Sequence, residues 1–328
     1  MASLAGTARA LWEISRPRQW VKNAFVFAPL LFAKRATDPV ALERSLLAFG
    51  LFCLFSSCVY MINDIADLER DRRHPQKKNR PLPAGRLGVS TVLAAGAGLL
   101  AVAVTGSLLL SWEFAGVGIA YWLIHVAYSF GAKSAVILDG MLIAAGFVLR
   151  TYAGAVVIGV IFSDWLYICA LFVSLFLAFS KRRHEIILLG EADARNHREI
   201  LQEYSTQLLD QIIAIVTAAT VVSYSLYCID TTSVKEQTLA GKAFPGMESP
   251  APEHPGGLPP QNPHGSLGYN PRMKYTIPFV IYGLFRYLYL IYRREEGGNP
   301  TELLLSDKPL LINGMGWLMA VFWALNYA

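Results

Sequence analysis

Long apolar runs limit what this chain can fold into more than any other feature, because several of them approach or exceed the ~18 residues that a helix needs to cross a bilayer. Hydrophobic residues make up 54% of the 328 positions and charged residues only 16%, against about 25% charged in a soluble domain. We therefore predict an all-α, polytopic membrane protein with about nine transmembrane helices, at residues 20–37, 43–63, 88–110, 113–130, 135–160, 163–180, 206–229, 275–292 and 309–327.

Positive charge is distributed unevenly between these predicted spans. Most of the 29 Lys and Arg residues lie before the first span or in the loops that follow the even-numbered spans. Cytoplasmic loops carry an excess of Lys and Arg, so we expect the N-terminus and these loops to face the cytoplasm, with the protein in the plasma membrane. The spans use most of the length, which predicts a single transmembrane catalytic domain over residues 1–328 with a Pro/Gly-rich external loop at about 230–273.

A dense charged motif follows the second predicted span. Asp64, Asp67 and Asp71 are spaced i, i+3 and i+7, which places them on one face if the preceding helix continues. A block of cations comes next in the chain: Arg72, Arg73, Lys77, Lys78, Arg80 and Arg86. Carboxylates that hold a divalent cation, followed by cations, suit a diphosphate bridged by Mg²⁺. We predict that the three aspartates are catalytic residues that bind Mg²⁺. The alternative is a solvated, salt-bridged loop, since ordinary cytoplasmic loops are also charged.

Other polar residues lie inside or beside the spans, where they usually face a partner or a polar cavity. Among them we predict a catalytic role for Lys133. The alternative is that Tyr128 and Lys133 only anchor the helix at the membrane interface, with the lysine amine extended to the lipid headgroups. We expect substrate contacts from Lys22, Asn63, Lys77, Arg80, Tyr128, Asp139, Lys181 and Arg182. For Arg150 the sequence leaves two roles open: a structural partner of a carboxylate, or a contact to a bound anion.

Cysteine and histidine positions indicate no metal site of the zinc type. Four cysteines fall within or at the ends of apolar runs and lack metal-ligand spacing, which is typical of small buried apolar side chains. We expect membrane lipids as partners and no nucleic acid. The sequence leaves a homo-oligomer open.

Six stretches of the sequence together carry a family resemblance. They are RPRQWVKN at 16–23, NDIADLERDRRHPQKKNRP at 63–81, YSFGAK at 128–133, LDGMLIAAGFVLRTYAG at 138–154, KRRHE at 181–185 and TELLLSDKPLL at 301–311. In combination they resemble the UbiA-type intramembrane prenyltransferase superfamily and, within it, the decaprenyl-phosphate phosphoribosyltransferase branch. The resemblance implies a UbiA-like helix bundle.

The resemblance also implies an activity. It is the Mg²⁺-dependent transfer of 5-phosphoribose from phosphoribosyl pyrophosphate to a polyprenyl (decaprenyl) phosphate, which releases pyrophosphate and supplies cell-wall arabinan precursors. Ordinary members carry a second Asp-x-x-x-Asp motif after the sixth span, whereas this chain has KRRHE there. One acidic motif with many cations suits a donor that bears a diphosphate and a further phosphate.

Two alternatives remain from the sequence. A prenyltransferase would move a prenyl group from its diphosphate to an aromatic acceptor, but it would be expected to carry the second acidic motif. A transporter would use Asp139 and Arg150 within the membrane, but it predicts two related halves with broken helices. No such internal symmetry is visible in the sequence.

Overall fold

Helices form all of the regular secondary structure in the part of the chain that the computed structural model describes, residues 4–73, 77–162, 164–197, 203–229, 272–293, 303 and 306–326. The α-helices are α1 (Leu4–Ile14), α2 (Ala28–Phe32), α3 (Pro39–Ala66), α4 (Leu68–Arg73), α5 (Val89–Leu110), α6 (Trp112–Phe130), α7 (Leu138–Val157), α8 (Asp164–His197), α9 (Thr206–Ile229), α10 (Ile277–Arg293) and α11 (Lys308–Asn326). Short 3-10 helices occupy Pro17–Phe27, Lys77–Asn79, Ala132–Ser134 and Met273–Thr276. The all-α prediction is confirmed.

Six of the described helices are long and apolar enough to cross a membrane: α3, α5, α7, α9, α11 and the first 24 residues of α8. They lie where six of the nine spans were predicted, so the chain is a multi-pass membrane protein. The count of nine spans is not confirmed. Helices α6 and α10 occupy the fourth and eighth predicted positions, but α10 has only 17 residues, and neither is among the six.

The first predicted span is not a continuous α-helix. A 3-10 helix covers Pro17–Phe27, and the short α2 follows it with Pro29 in its first turn, where the missing proline N–H costs nothing. This broken segment packs closely on α7. A Cβ atom on Gly154 would lie 2.0 Å from the carbonyl oxygen of Val26, so only glycine allows the two backbones to approach this far.

Two further boundaries differ from the predicted spans. Helix α3 ends at Ala66, and Asp67 separates it from α4, so the acidic motif lies across a helix junction rather than on one uninterrupted helix. Helix α8 continues for 34 residues through the KRRHE stretch. The sixth span and the start of the loop predicted after it therefore form one continuous helix.

The bundle interior contains two large apolar clusters. One is formed by α3, α6, α7 and the broken first segment, around Phe52, Phe55 and Phe114. The other is formed by α8, α9, α10 and α11, around Phe176 and Leu290. Helix α7 packs against both α6 and α8, so it joins the two halves. The C-terminal ends of α3 and α6 thereby meet the N-terminal end of α7 at one end of the bundle.

The outer surface of the bundle is apolar. Long side chains such as Leu109, Ile215 and Met319 are more than half exposed, as lipid-facing residues of a membrane bundle are. The four cysteines are buried and form no disulfide in the described part of the chain, as expected of small side chains in apolar runs. The Pro/Gly-rich loop predicted at about 230–273 lies outside the described residues, apart from residues 272 and 273.

Candidate active site

The three aspartates of the acidic motif are each paired with a cation from another part of the chain. Asp64 is 1% exposed, forms an ion pair with Arg16, and lies 3.3 Å from Nη1 of Arg80. The same Nη1 atom lies 2.7 Å from Oδ2 of Asp71. Both carboxylates therefore converge on one cationic nitrogen. A solvated loop would leave these carboxylates exposed, and their burial argues against that alternative.

The third aspartate points towards a different cation. Asp67 lies at the junction of α3 and α4, and its Oδ1 accepts a 2.6 Å bond from Nζ of Lys133. Lys133 belongs to the 3-10 turn after α6 and is only 3% exposed. Its amine is therefore held inside the protein at the acidic motif rather than extended to the lipid headgroups. Nearby, the Oγ atom of Ser129 donates to Oδ1 of Asn63 at 3.4 Å.

Lys77 and Arg16 complete this group. Nζ of Lys77 lies 3.9 Å from Oδ1 of Asp71. Arg16 immediately precedes the 3-10 helix Pro17–Phe27 and adopts a left-handed backbone conformation, with φ of 51°. Its guanidinium also stacks over the ring of Tyr60 at 5.0 Å. The sequence analysis assigned this arginine no role in the site, although the RPRQWVKN stretch of the resemblance contains it.

Lys22 lies in a strongly cationic environment. Arg16, Arg150 and Lys181 all act on it electrostatically, and its side chain is half-buried. Within the described part of the chain, Lys22 forms no ion pair with a carboxylate. These cations come from three separate segments, and one of them, Arg16, also pairs with Asp64 of the acidic motif. Like charges repel at close range, so an anion bound beside Lys22 would relieve this repulsion.

The neighbouring Asn23 and Arg150 form a buried polar cluster. Nε of Arg150 donates to Oδ1 of Asn23 at 2.8 Å, and Nη2 donates to the hydroxyl of Tyr121 at 2.7 Å. The amide nitrogen of Asn23 donates in turn to Oγ of Ser56 at 3.1 Å. Arg150 therefore meets neutral acceptors, not Asp139. The cluster ties the segment that carries Lys22 to α3, α6 and α7.

A second ion-pair network lies at the same end of the bundle. Nε of Arg182 donates to Oδ2 of Asp139 at 2.5 Å, and both residues are almost fully buried. Arg182 also donates to Glu185 at 2.5 Å and to the hydroxyl of Tyr128 at 3.0 Å. The hydroxyl of Tyr204 donates to Oδ1 of Asp139 at 2.7 Å. Burial, together with this bond to Asp139, raises the pKa of Tyr204.

Most of the predicted site residues thus fall into two groups, and the members of each group are linked by hydrogen bonds or ion pairs. One surrounds the acidic motif and contains Asn63, Asp64, Asp67, Asp71, Lys77, Arg80 and Lys133. The other contains Tyr128, Asp139 and Arg182, which bond to one another, so their substrate contacts stay a prediction. Lys22 and Lys181 are coupled electrostatically, and Nζ of Lys181 lies 3.9 Å from Glu185. Sequence reasoning missed Arg16 and Tyr204, because no local spacing marks their distant partners.

Known proteins are similar to this chain in sequence and in fold. Residues 24–184 match the model of the UbiA prenyltransferase family. The decaprenyl-phosphate phosphoribosyltransferase of Mycolicibacterium smegmatis is 38% identical, over 95% of this chain and 91% of that protein. Its counterpart from Corynebacterium glutamicum is 32% identical, over 94% and 84%. The fold is similar to that of a UbiA homolog from Archaeoglobus fulgidus bound to GPP and Mg²⁺, with a TM-score of 0.68, 17% identity and coverage of 96% and 99%.

Proposed function

The chain belongs to the UbiA prenyltransferase family and is therefore a transferase, and from this premise we propose that it transfers 5-phosphoribose from phosphoribosyl pyrophosphate to a polyprenyl phosphate such as decaprenyl phosphate. Two relatives, which are 32% and 38% identical over 94% and 95% of this chain, are named for that activity. The product would supply cell-wall arabinan synthesis, with the active site on the cytoplasmic side of the plasma membrane. Whether the protein forms a homo-oligomer stays open.

The cationic environment of Lys22 is the observation that carries the proposal. Phosphoribosyl pyrophosphate has a diphosphate at one end of the ribose and a single phosphate at the other. The acidic motif, together with Arg80 and Lys133, suits the diphosphate, with Mg²⁺ between the anions. Lys22, on which Arg150 and Lys181 also act electrostatically, suits the further phosphate. A prenyl diphosphate lacks this third phosphate.

The acidic motif has the chemistry of a magnesium site. Its donors are carboxylate oxygens, which Mg²⁺ prefers, and Asp64 and Asp71 already converge on one cationic point at Nη1 of Arg80. Among the described residues, no three acidic, histidine or cysteine side chains form a ready-made metal cage. This fits Mg²⁺, which is usually held by one or two carboxylates plus substrate phosphates. We assign its one or two protein ligands to the set Asp64, Asp67 and Asp71, and the bound ion would stabilise the leaving pyrophosphate.

The transfer itself requires orientation more than proton removal. The phosphate oxygen of the lipid attacks C1 of the ribose, and the bond from C1 to the pyrophosphate oxygen breaks with its electron pair leaving on pyrophosphate. The acceptor is already an anion, so we assign no general base. Arg80, Lys133 and Lys77 hold the departing pyrophosphate and stabilise its developing charge. Lys22 and Lys181 hold the far phosphate and orient C1 towards the acceptor.

The membrane supplies the second substrate. A polyprenyl tail is apolar and reaches the protein from the bilayer, where the outer faces of α5, α9 and α11 present long apolar side chains. Its phosphate lies at headgroup depth, and the cations of the site lie at one end of the bundle. An acceptor with its tail among the lipids and its phosphate at the interface therefore reaches C1 without leaving the membrane.

Prenyl transfer to an aromatic acceptor is the alternative, because related folds bind prenyl diphosphates such as GPP. The two functions are distinguished by exchanging donors on purified protein in detergent with Mg²⁺. One reaction receives labelled phosphoribosyl pyrophosphate and decaprenyl phosphate; the other receives labelled prenyl diphosphate and an aromatic acid. We expect label in the lipid phase only in the first reaction. Product only in the second would replace the proposal with prenyl transfer. If folded protein were inactive in both reactions, neither transfer function would hold, and transport would become the favoured hypothesis.

A further inference from the structure

The turn that presents Lys133 to Asp67 contains a strained residue. Ile137 adopts φ of 69° and ψ of −44°, a region that β-branched side chains rarely occupy because Cβ is crowded against the backbone. Ile137 ends the segment between α6 and α7 that includes the 3-10 turn Ala132–Ser134. A conformation of this kind persists only where the surrounding structure holds it in place.

The hydroxyl of Tyr204 provides that restraint. It accepts a 2.7 Å hydrogen bond from the backbone N–H of Ile137 and donates a 2.7 Å bond to Oδ1 of Asp139. Tyr204 precedes α9, is 4% exposed, and its ring packs in the apolar cluster of α8–α11. One phenol group therefore bonds to the backbone N–H of the strained residue itself and to the side chain two positions later. The Arg182 ion pair holds Asp139 on its other oxygen.

The strained turn also determines where the amine of Lys133 lies. Lys133 is four positions before Ile137, is buried, and reaches Asp67 across the gap between α6 and α3. If the peptide at Ile137 relaxed to negative φ, the chain direction between residues 134 and 138 would change. The 3-10 turn would then shift relative to the acidic motif. A bond of 2.6 Å tolerates little displacement, because hydrogen bonds weaken steeply with misalignment.

We propose that Tyr204 is a positioning residue for the transfer reaction: its hydroxyl holds the strained peptide at Ile137 and thereby keeps the amine of Lys133 on Asp67. Among the described hydrogen bonds, the hydroxyl of Tyr204 bonds to Ile137 and Asp139 and not to Lys133 or the acidic motif, so it acts through the backbone of the turn. The inference rests on the proposed function only for its effect on catalysis. The coupling between the phenol group and the turn is a property of the fold and is measured separately.

The chain offers a matched control. Tyr287 packs in the same apolar cluster and is 2% exposed, but its hydroxyl has no hydrogen-bond partner in the described part of the chain. Replacement of either tyrosine by phenylalanine removes one hydroxyl from a buried ring. Tyr204→Phe breaks the bonds to Ile137 and Asp139, whereas Tyr287→Phe breaks none. The difference between the two variants isolates the effect of the hydrogen bonds from that of the missing oxygen.

The first measurement needs no activity. Amide hydrogen exchange over residues 131–139, and labelling of the Lys133 amine by an acylating reagent, are compared in wild type, Tyr204→Phe and Tyr287→Phe. Since a lost buried hydrogen bond changes a local equilibrium by about tenfold, we expect about tenfold faster exchange and increased Lys133 labelling in Tyr204→Phe only. Equal exchange in the two variants would overturn the proposal.

A second substitution tests whether Tyr204 affects the transfer rate through the strained backbone at Ile137. Glycine populates positive φ without a steric cost, so Ile137→Gly removes the strain that the hydroxyl holds. We expect Tyr204→Phe to lower the transfer rate at saturating donor by about tenfold, and Ile137→Gly to restore most of that loss in the double variant. A double variant as slow as Tyr204→Phe would assign Tyr204 a general structural role and overturn the proposal. Wild-type protein that transfers no phosphoribose would refute the proposed function, while the exchange measurement would still decide the coupling.

Discussion

The Nζ atom of Lys133 lies 2.6 Å from Oδ1 of Asp67, although the two residues are 66 positions apart in the chain. The bond joins the turn after α6 to the junction of α3 and α4, and both partners are candidate catalytic residues. Asp64 and Asp71 point instead to Arg80. The acidic motif is therefore neutralised within the protein by cations that we assign to the diphosphate. Binding of Mg²⁺ and donor would exchange these internal pairs for pairs with phosphate.

Asp67→Asn should abolish transfer that depends on Mg²⁺, because the amide is neutral and a poor metal ligand. We expect the rate to fall by about 100-fold or more while the protein remains folded. Glu69→Gln is the control, since Glu69 lies two positions away but is exposed and pairs only with Arg72 in the described contacts. The measurement is initial rate against Mg²⁺ concentration. Full activity of Asp67→Asn would remove the metal assignment.

Lys133→Ala should raise the KM for phosphoribosyl pyrophosphate or lower the rate, because it removes a buried cation from the site of the diphosphate. A tenfold loss of kcat/KM is the expected order of magnitude for one such contact. Lys78→Ala, in an exposed part of the loop after α4, should leave both parameters near wild type. If the two variants behaved alike, Lys133 would return to an anchoring role.

Lys22→Met should separate stability from activity. Arg16, Arg150 and Lys181 repel the ammonium group of Lys22, so removing the charge should leave the thermal unfolding temperature unchanged or raise it. The same change should weaken donor binding, because a phosphate loses one cationic partner. Thermal unfolding in detergent is measured with and without phosphoribosyl pyrophosphate. A less stable protein with unaltered donor binding would contradict the anion site.

Arg182→Met should strongly destabilise the protein, because it leaves the buried carboxylate of Asp139 without its cation. Breaking one side of a buried ion pair costs about 3–5 kcal/mol. Asp139→Leu combined with Arg182→Met removes both charges and should recover part of that loss. The exposed pair Glu69–Arg72 is the reference, where loss of one charge costs about 1 kcal/mol or less. Additive losses in the double variant would show that the two residues do not act as a pair.

Gly154→Ala should disturb the packing of α7 on the first segment, since the new Cβ would lie 2.0 Å from the carbonyl oxygen of Val26. The backbone on both sides must then move, and Asn23 and Lys22 move with it. We expect lower thermal stability together with a higher donor KM. Gly116→Ala is the control, because no atom lies within 4 Å of its Cβ position. Helix α6 should tolerate that change or gain stability.

Much of the fold follows from local properties of the sequence. Apolar length identified six helices that the structure confirms as candidate spans, and the spacing of Asp64, Asp67 and Asp71 identified the motif on which the cations converge. Local patterns were less successful where the backbone departs from regular helix. The 3-10 segment Pro17–Phe27 overlaps the first predicted span, at residues 20–37, whose composition suits a simple transmembrane helix. This segment packs on α7 so closely that no side chain fits at Gly154, a contact that no local pattern in the sequence indicates.

The sequence by itself determined the class of the protein, the positions of most spans and the types of residue at the site, because hydropathy and helix periodicity act over a few turns of chain. Only the tertiary structure decided the pairings. Arg16 meets Asp64 across 48 positions, and Tyr204 meets Asp139 across 65. A charged side chain in a bundle pairs with whichever opposite charge helix packing brings within about 4 Å. That distance depends on how the helices cross, which no local spacing encodes.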